Sequence, residues 1–534
     1  MHSEISQSVN VAFTKGEPGR NFGKVICQSM KTKQITTSVI FTLFAVVAGA
    51  VQTSSASAET LAPNGSELKF VGRYTTGAGL GGAEISAVDS ESKRLFITNG
   101  AKNTIDIVDI SNLKKPKLIK AVSFTSSGAT GIQSVAAKNG VVLVAATMAS
   151  KTAPGRIFVM DINGKLRSGL ADGIAVGALP DSVTISPDGK YAIVANEGEP
   201  TNYCLTNGAL PETTDPLGSV SLINLSSKKP TAKTIDFKSF SDRKNAITYA
   251  GGRIFGPNAS VAQDLEPEYI SVSPDSKYAF VTLQENNAIA VVDIASRSVT
   301  SIKALGFKDH SLPGMGMDVS DEDSGTNTNS GSALIKIGPV PVKGMYLPDA
   351  IASYTANGQT WLITANEGDA RADWPGFNEE TRVRAHCTAG LDPTLFTDAA
   401  NHIFDSNLGR LRITSTPNGG NDGKNGAGQC TELYSFGARS FSIWSADVTR
   451  VFDSGDDFEQ RTQALLQAAI EGVAALEGTR FDAQHRHPPR LPVLRHGRSR
   501  SCRHRRSRLA AGQPDEPLGR RSGACLDLRR RVGG

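Results

Sequence analysis

Short hydrophobic runs alternate with polar turns along residues 59–480. Four of these runs superimpose, and they begin at Ala83, Pro180, Pro267 and Pro348; the third reads PEYISVSPDSKYAFVTLQENNAIAVVDI. The shared pattern is an acidic residue, a strand of alternating polarity, a turn such as Ser-Pro-Asp-Gly, a second β-branched strand and a third strand. This pattern predicts a β-meander of roughly 40 to 45 residues that recurs along the chain.

Weaker copies of the same unit run through residues 131–162 and 433–454. A β-meander of this size corresponds to one propeller blade. We therefore expect an all-β fold, a β-propeller of four-stranded blades with seven or so blades in the intact protein and an incomplete C-terminal end. A β-sandwich is the alternative, but repeated strand triplets that end in the same VDI sequence favour the propeller.

The N-terminal segment has the form of a secretory signal peptide. Met30 is followed by two lysines, an apolar run over residues 38–51 and small residues up to Ala58. The run is shorter than a comfortable membrane span, so a membrane anchor is the less favoured alternative. We expect a leader over residues 1–58 with Met30 as the true start, cleavage after Ala58, export to the periplasm, cell surface or medium, and no integral membrane span in the mature chain.

Charge is distributed unevenly. Residues 1–58 carry a net charge of +3 and residues 481–534 carry +10, so the overall charge of +5 leaves −8 for residues 59–480. Residues 481–534 contain fourteen arginines, no lysine and four of the eight histidines. We interpret this segment as a disordered, out-of-frame tail. A polybasic tail that binds nucleic acid is the alternative, but we expect no nucleic-acid partner for the acidic body.

Acidic residues recur at corresponding positions of the predicted blades. Asp181 begins one strand and Glu197 ends its hairpin partner, so an antiparallel return places both at one end of the blade. Blades arranged around an axis bring such positions to the mouth of a central channel, where propellers bind ligands. The same reasoning pairs Glu268 with Glu285 and Asp349 with Glu367.

Carboxylates crowded at one mouth repel each other and favour a bound cation. Their oxygen atoms suit Ca²⁺ better than zinc, and residues 59–480 hold only three histidines and neither an HExxH nor a CxxC motif. The alternative is that Gly198 and Gly368 form tight turns, and that the acids after residue 452 favour a helix N-terminus. The predicted calcium ligands are Asp181, Glu197, Glu199, Glu268, Asp349, Glu367, Asp369, Asp453, Asp456 and Asp457.

Two functions are compatible with this pattern. The first is a non-catalytic exported propeller that binds an unknown envelope or extracellular ligand, with calcium supporting its loops. The second is a calcium-dependent phosphoesterase, in which bound cations activate water and Arg371 binds the phosphate of the substrate. Arg371 is equally compatible with a surface ion pair. The first function is favoured because the sequence has no recognisable nucleophile and base.

The repeats resemble those of a known family. The segment from Glu266 to Val299 is similar to YVTN propeller repeats, which are WD40-like. The segments LPDSVTISPDGKYAIVANEGEP, YLPDAIASYTANGQTWLITANEGDAR and RVFDSGDDFE resemble the choice-of-anchor I family over residues 61–479. The resemblance implies an exported bacterial propeller with a variable C-terminal anchor, of a kind often labelled alkaline-phosphatase-like without a defined substrate; the phosphoesterase alternative is accordingly alkaline-phosphatase-like or phytase-like. The Arg-rich tail departs from the family pattern, which continues with an acidic segment and a final blade.

The cysteines allow two alternative disulfide pairings. Export permits disulfide formation, and the body contains Cys204, Cys387 and Cys430. Pairing of Cys387 with Cys430 closes a long insertion, whereas pairing of Cys204 with Cys387 joins two acidic turns. Both pairings remain open at this point.

Overall fold

The computed structural model describes residues 8–13, 25–26, 69–204, 208–326, 331–416 and 422–467. The segment from Met30 to Ala58 and the tail over residues 481–534 lie outside these ranges, so the predicted signal peptide and tail stay predictions. The chain divides into two compact units, residues 1–463 and 464–534. All of the sheets among the described residues lie in the first unit.

The predicted β-propeller is confirmed: the first unit contains five antiparallel four-stranded sheets, here called blades 1 to 5. Within each blade the strands pair in chain order. Blade 1 contains the strands Ser86–Asp89, Arg94–Asn99, Thr104–Asp109 and Lys117–Ser123. Blade 2 contains Gly131–Lys138, Val141–Thr147, Pro154–Asp161 and Ile174–Ala178. Blade 3 contains Pro180–Ile185, Tyr191–Asn196, Ser219–Asn224 and Ala232–Asp236. Blade 4 contains Pro267–Val272, Tyr278–Leu283, Ala288–Asp293 and Ser298–Ala304. Blade 5 contains Ile351–Ala356, Gln359–Asn366, Ser440–Ser445 and Arg450–Asp453.

Two further sheets and several short helices complete the described fold. One sheet of three strands contains Val25–Ile26, Ser8–Phe13 and Lys69–Thr75, and one sheet of five contains Phe307–Asp309, Lys343–Met345, Tyr434–Ser435, Arg412–Thr414 and Glu380–Arg382. The α-helices span Lys244–Tyr249, Val261–Asp264, Val383–His386, Ala399–His402 and 457–467, and the 3-10 helices span Gly100–Lys102, Thr125–Ser127, Lys238–Arg243 and Leu408–Arg410. Among the described helices, none has the length and hydrophobicity that a membrane crossing requires.

Consecutive blades pack face to face, and their first strands lie next to each other from blade 1 to blade 5. Ala192 and Val194 of blade 3 pack towards blade 2, whereas Ile193 and Ala195 pack towards blade 4. Successive side chains of a strand point to opposite faces of the sheet. Both faces are therefore covered by apolar neighbours, which explains why the central strands read as nearly continuous hydrophobic runs. No strand pairing joins blade 1 to blade 5 within the described residues.

The sequence pattern predicts a separate copy of the repeat over residues 433–454, and this prediction is wrong. The segment supplies the third and fourth strands of blade 5, because Gln359–Asn366 pairs directly with Ser440–Ser445. Residues 367–439 are thus an insertion within a single blade. Asn366 stabilises the junction, since its Nδ2 donates to the hydroxyls of Ser440 and Ser442 at 3.0 and 2.8 Å.

The insertion contains a disulfide between Cys387 and Cys430 with a Cα–Cα distance of 5.5 Å. This confirms one of the two predicted pairings and shows that the pairing of Cys204 with Cys387 is wrong. Both half-cystines are buried in an apolar cluster with residues such as Val383 and Leu408. The bond therefore crosslinks the small core of the insertion.

Reduction of Cys387–Cys430 should destabilise the insertion by about 4 kcal/mol, because the bond closes a loop with a sequence separation of 43. Limited proteolysis with and without a reductant, followed by mass spectrometry, measures the effect, and cleavage should increase within residues 388–429. A Cys204→Ser variant is the control and should behave like the unmodified protein. Equal protection of the insertion in oxidised and reduced protein would contradict the prediction.

Candidate metal centre

The first strands of blades 3 and 4 each begin with a β-bulge. The strand pairing shifts between Pro180 and Ser182 in blade 3, and between Pro267 and Ile270 in blade 4. A bulge redirects the side chain of the extra residue. The bulges contain Asp181 and Glu268, two of the predicted ligands. In blade 2 the corresponding shift, between Ile132 and Ser134, contains the neutral Gln133.

Five buried carboxylates meet beside these bulges. One group comprises Asp181, Glu197 and Glu268, and a second comprises Glu197, Glu266 and Glu285; in each group, one oxygen from every residue lies within 4.8 Å of the others. We call these five residues the carboxylate centre. The predicted convergence of Asp181, Glu197, Glu268 and Glu285 is therefore present, and Glu266 is an additional member.

Two oxygens of the carboxylate centre have no hydrogen-bond partner among the described residues. They are Glu266 Oε1 and Glu285 Oε2, and their side chains belong to residues that are only 2% and 5% exposed. A buried polar atom without a partner loses the hydration it had in the unfolded chain. These atoms therefore identify a place where a ligand would be favourable.

Burial and mutual repulsion raise the pKa of these carboxyl groups. Burial, followed by the charges of Glu268 and Asp369, raises the pKa of Glu285 to about 8. Burial raises the pKa of Glu266 well above its usual range, while Arg371 opposes this rise. Carboxyl groups in such an environment either bind protons or share a cation. When ionised, the five carboxylates carry more negative charge than Arg371, the arginine paired with Glu266, can offset.

Arg371 is a buried ion-pair residue at the edge of the carboxylate centre. The side chain is 2% exposed; its guanidinium pairs with Asp264 and lies 3.2 Å from Glu266 Oε2. The arrangement differs from the surface ion pair considered from the sequence, because both acidic partners are also buried. The role of Arg371 in substrate binding stays a prediction.

A second buried arginine contacts the same aromatic ring as Arg371. Arg253 pairs with Glu379, and the guanidinium carbons of Arg253 and Arg371 lie 3.8 and 4.5 Å from the ring centroid of Phe255. Glu379 Oε1 also accepts a hydrogen bond of 2.9 Å from the backbone N–H of Arg371. Stacking on an aromatic face and paired carboxylates together stabilise a buried guanidinium. This network fixes Arg371 relative to Glu266.

The two NEG turns are not equivalent in the structure. At the first, the N–H of Glu197 donates to Leu179 O; at the second, the donor to Leu347 O is Gly368, one residue later in the motif. Neighbouring side chains of an extended chain point in opposite directions. Glu197 is accordingly buried, whereas Glu367 is exposed. The two glutamates therefore lie in different environments, and of the two only Glu197 belongs to the carboxylate centre.

The other predicted ligands lie around the carboxylate centre or away from it. Asp369 acts electrostatically on Glu285, and Glu199 pairs with Lys151 at 3.2 Å. The backbone carbonyl of Asp349 accepts a hydrogen bond of 3.0 Å from Thr282 Oγ1. None of these three belongs to the two carboxylate groups found among the described residues.

A lysine contacts the acidic segment at the end of blade 5. Lys308 Nζ lies 3.5 Å from Asp453 Oδ1 and donates to the carbonyls of Ala438 and Gly455 at 2.8 and 2.7 Å. Asp453 also accepts hydrogen bonds from the hydroxyls of Ser440 and Ser442. An ammonium group thus provides the positive charge beside Asp453. Asp456 and Asp457 lie where the helix over residues 457–467 begins.

Sequence reasoning missed Asp215, Asp264, Glu266, Arg253 and Glu379. Asp264 and Glu266 directly precede the first strand of blade 4 in the segment QDLEPEYI, so two acids ahead of a repeat were a usable signal. The backbone N–H groups of Phe255 and Gly256 donate to Asp264 at 2.9 and 2.6 Å. The remaining residues lie in connecting segments whose positions the repeat pattern does not specify.

Five four-stranded blades and a buried acidic centre define a β-propeller with a candidate cation site. The sequence model of the choice-of-anchor I domain matches residues 84–482, and the chain belongs to this family. Family membership supports an exported or cell-surface protein. No curated protein matches the sequence.

Several solved structures are similar to the chain at low identity. Hydrazine synthase of Kuenenia stuttgartiensis has 12% identity over 56% of this chain and 83% of its own, with a TM-score of 0.28. The periplasmic gluconolactonase PpgL of Pseudomonas aeruginosa has 11% identity over 56% and 67%, with a TM-score of 0.34. A functionally unknown protein from Desulfotomaculum acetoxidans has 12% identity over 74% and 90%, with a TM-score of 0.32. These scores carry no functional argument.

Replacing Arg371 by methionine should destabilise the protein by about 3–5 kcal/mol, because Asp264 and Glu266 would lose their buried partner. Arg412→Met is the matched control: its partner is Glu380, its side chain is 51% exposed, and we expect a loss of at most about 1 kcal/mol. Urea unfolding of both variants measures the difference. Similar small losses in the two variants would contradict a stabilising role for the buried pair.

Asp215 should make stability fall as the pH rises from about 4 to about 7. Burial raises the pKa of Asp215 to about 7, and both of its carboxylate oxygens are buried without a hydrogen-bond partner among the described residues. The folded state therefore binds a proton that the unfolded state releases in this range, and the free energy of unfolding decreases by on the order of 4 kcal/mol. Asp215→Asn should remove this loss.

Urea unfolding at several pH values, in the presence of a chelator, tests the Asp215 prediction. The difference in unfolding free energy between the variant and the unmodified protein should grow as the pH increases. Asp172→Asn, at an exposed turn, should leave the pH profile unchanged. A constant difference for Asp215→Asn across the range would refute the prediction.

Proposed function

We propose that this protein is an exported propeller that binds an envelope or extracellular ligand, and that its carboxylate centre binds Ca²⁺. The observation that carries the proposal is the convergence of five buried carboxylates, two of which have unpartnered oxygens among the described residues. A cation bound to the centre would connect blades 3 and 4 with the segments that follow their second strands. Calcium would thereby support the loops at one end of the propeller.

The ligand set favours calcium by its chemistry and its spacing. All five side chains offer carboxylate oxygens, and neither group contains a histidine or a cysteine. Ca²⁺ accepts six to eight oxygen ligands at about 2.3–2.6 Å in flexible geometry, so ligands on opposite sides of the ion are about 5 Å apart. The separations of up to 4.8 Å within each group are compatible with this shell. Soft thiolate or imidazole ligands, which favour zinc, are absent from both groups.

Burial favours a supporting role for the cation over a hydrolytic one. Asp181, Glu197, Glu266, Glu268 and Glu285 are all buried, whereas a catalytic metal keeps a position open to water or substrate. Arg371, the predicted phosphate ligand, already pairs with Asp264 and Glu266. The phosphoesterase alternative would require both the centre and Arg371 to become accessible. The binding function is therefore the better supported of the two.

Calcium should stabilise the folded protein, and a chelator should reverse the effect. Addition of Ca²⁺ at about 100 times its dissociation constant would contribute about 2.7 kcal/mol, measured as an increase in Tm. Glu285→Gln should lose most of this increase, because the variant removes a charged ligand. Glu91→Gln changes an exposed glutamate and should respond to calcium like the unmodified protein. Identical Tm values with calcium and with chelator would refute the calcium proposal.

The same samples separate binding from hydrolysis. Incubation with p-nitrophenyl phosphate in the presence of Ca²⁺ should give no turnover above that of buffer if the cation has only a supporting role. Chelator-sensitive turnover that disappears in Glu197→Gln, but not in Glu91→Gln, would instead establish the phosphoesterase.

A further inference from the structure

We infer that the carboxylate centre holds two adjacent Ca²⁺ ions that share Glu197 as a common ligand. This inference rests on the proposed function, because it specifies the number and arrangement of the cations at the same site. It assigns Asp181 and Glu268 to one ion and Glu266 and Glu285 to the other.

The separations between the carboxylate oxygens favour two positions. The five residues form two groups of three at separations within 4.8 Å, and only Glu197 belongs to both. Since opposite ligands of a single Ca²⁺ ion are about 5 Å apart, two groups with separations within 4.8 Å favour two ions over one ion bound by all five residues. Two ions that share Glu197 as a bridging carboxylate account for all five residues. Glu197 directly follows the second strand of blade 3, between Asp181 of the same blade and the residues of blade 4.

Charge leads to the same number of ions. The five carboxylates together carry five negative charges when ionised, and Arg371, which pairs with Asp264 as well as with Glu266, offsets at most one of them. A single divalent cation would leave at least two negative charges in a buried region, whereas two divalent cations would offset four. Uncompensated charge is costly to bury. Full ionisation of the centre is therefore best accommodated by two ions.

The unpartnered oxygens provide independent support for occupancy of the centre. Glu266 Oε1 and Glu285 Oε2 are buried and have no hydrogen-bond partner among the described residues, although both carboxylates lie within reach of other polar groups. Buried carboxylate oxygens are normally satisfied by protein, water or metal. These two atoms belong to the group that shares Glu197 with Asp181 and Glu268.

Counting bound ions tests the inference. The full chain is freed of metal with a chelator, titrated with Ca²⁺ alone and analysed by native mass spectrometry, with isothermal titration calorimetry for the affinities. We expect two ions per chain in the unmodified protein and in the Glu91→Gln control. Glu268→Gln and Glu285→Gln should each bind one ion, and Glu197→Gln should weaken both ions by at least about tenfold.

The outcomes distinguish this inference from the function on which it rests. Saturation at one ion, lost in Glu285→Gln or in Glu268→Gln, would overturn the inference and leave the calcium-binding function intact. Absence of any bound ion would overturn both. Two ions that persist in both variants would place the sites elsewhere and overturn the inference. Asp181→Asn provides a second test of the first position, and circular dichroism in chelator verifies that every variant is folded.

Discussion

The concentration of negative charge in a buried region is the constraint on which the centre of this propeller depends. Five carboxylates converge where the first strands of blades 3 and 4 begin, and their environment raises the pKa of Glu285 to about 8. Charge in such a region requires a partner. Arg371 supplies part of the compensation, and the bound calcium that we propose supplies the rest.

Packing between blades makes this concentration possible. Apolar side chains cover both faces of the central strands, so the sheets are held firmly against each other while the ends of their first strands remain available for polar groups. Arg253 and Arg371 both contact the ring of Phe255, and Arg253 pairs with Glu379 of the insertion. These contacts connect the carboxylate centre with the insertion. Hydrophobic packing thus determines where the acids lie, and the ion pair between Arg371 and Glu266 neutralises part of their charge.

The repeats, the family and the meeting of four acids could be predicted because they depend on strand periodicity, which is local. The environment of Glu367 could not be predicted. The backbone hydrogen bond of its turn is shifted by one residue relative to that of Glu197, and such a shift reverses the direction of a side chain without altering the sequence motif. The sequence pattern also did not show that blade 5 is a single sheet, because residues 367–439 separate its two halves along the chain. Arg253 and Glu379 were unpredictable for a similar reason: their contact joins segments that are distant along the chain.

The divided fifth blade also affects the order in which the protein acquires its structure. Its second strand, Gln359–Asn366, has no third strand beside it until Ser440–Ser445 has been synthesised and brought back across the insertion. Closing so long a loop is slow, and meanwhile the open strand edge can pair with another chain. Oxidation of Cys387 and Cys430 shortens the effective path between the two halves. An oxidising compartment would therefore accelerate completion of this blade and reduce the period in which nascent molecules aggregate.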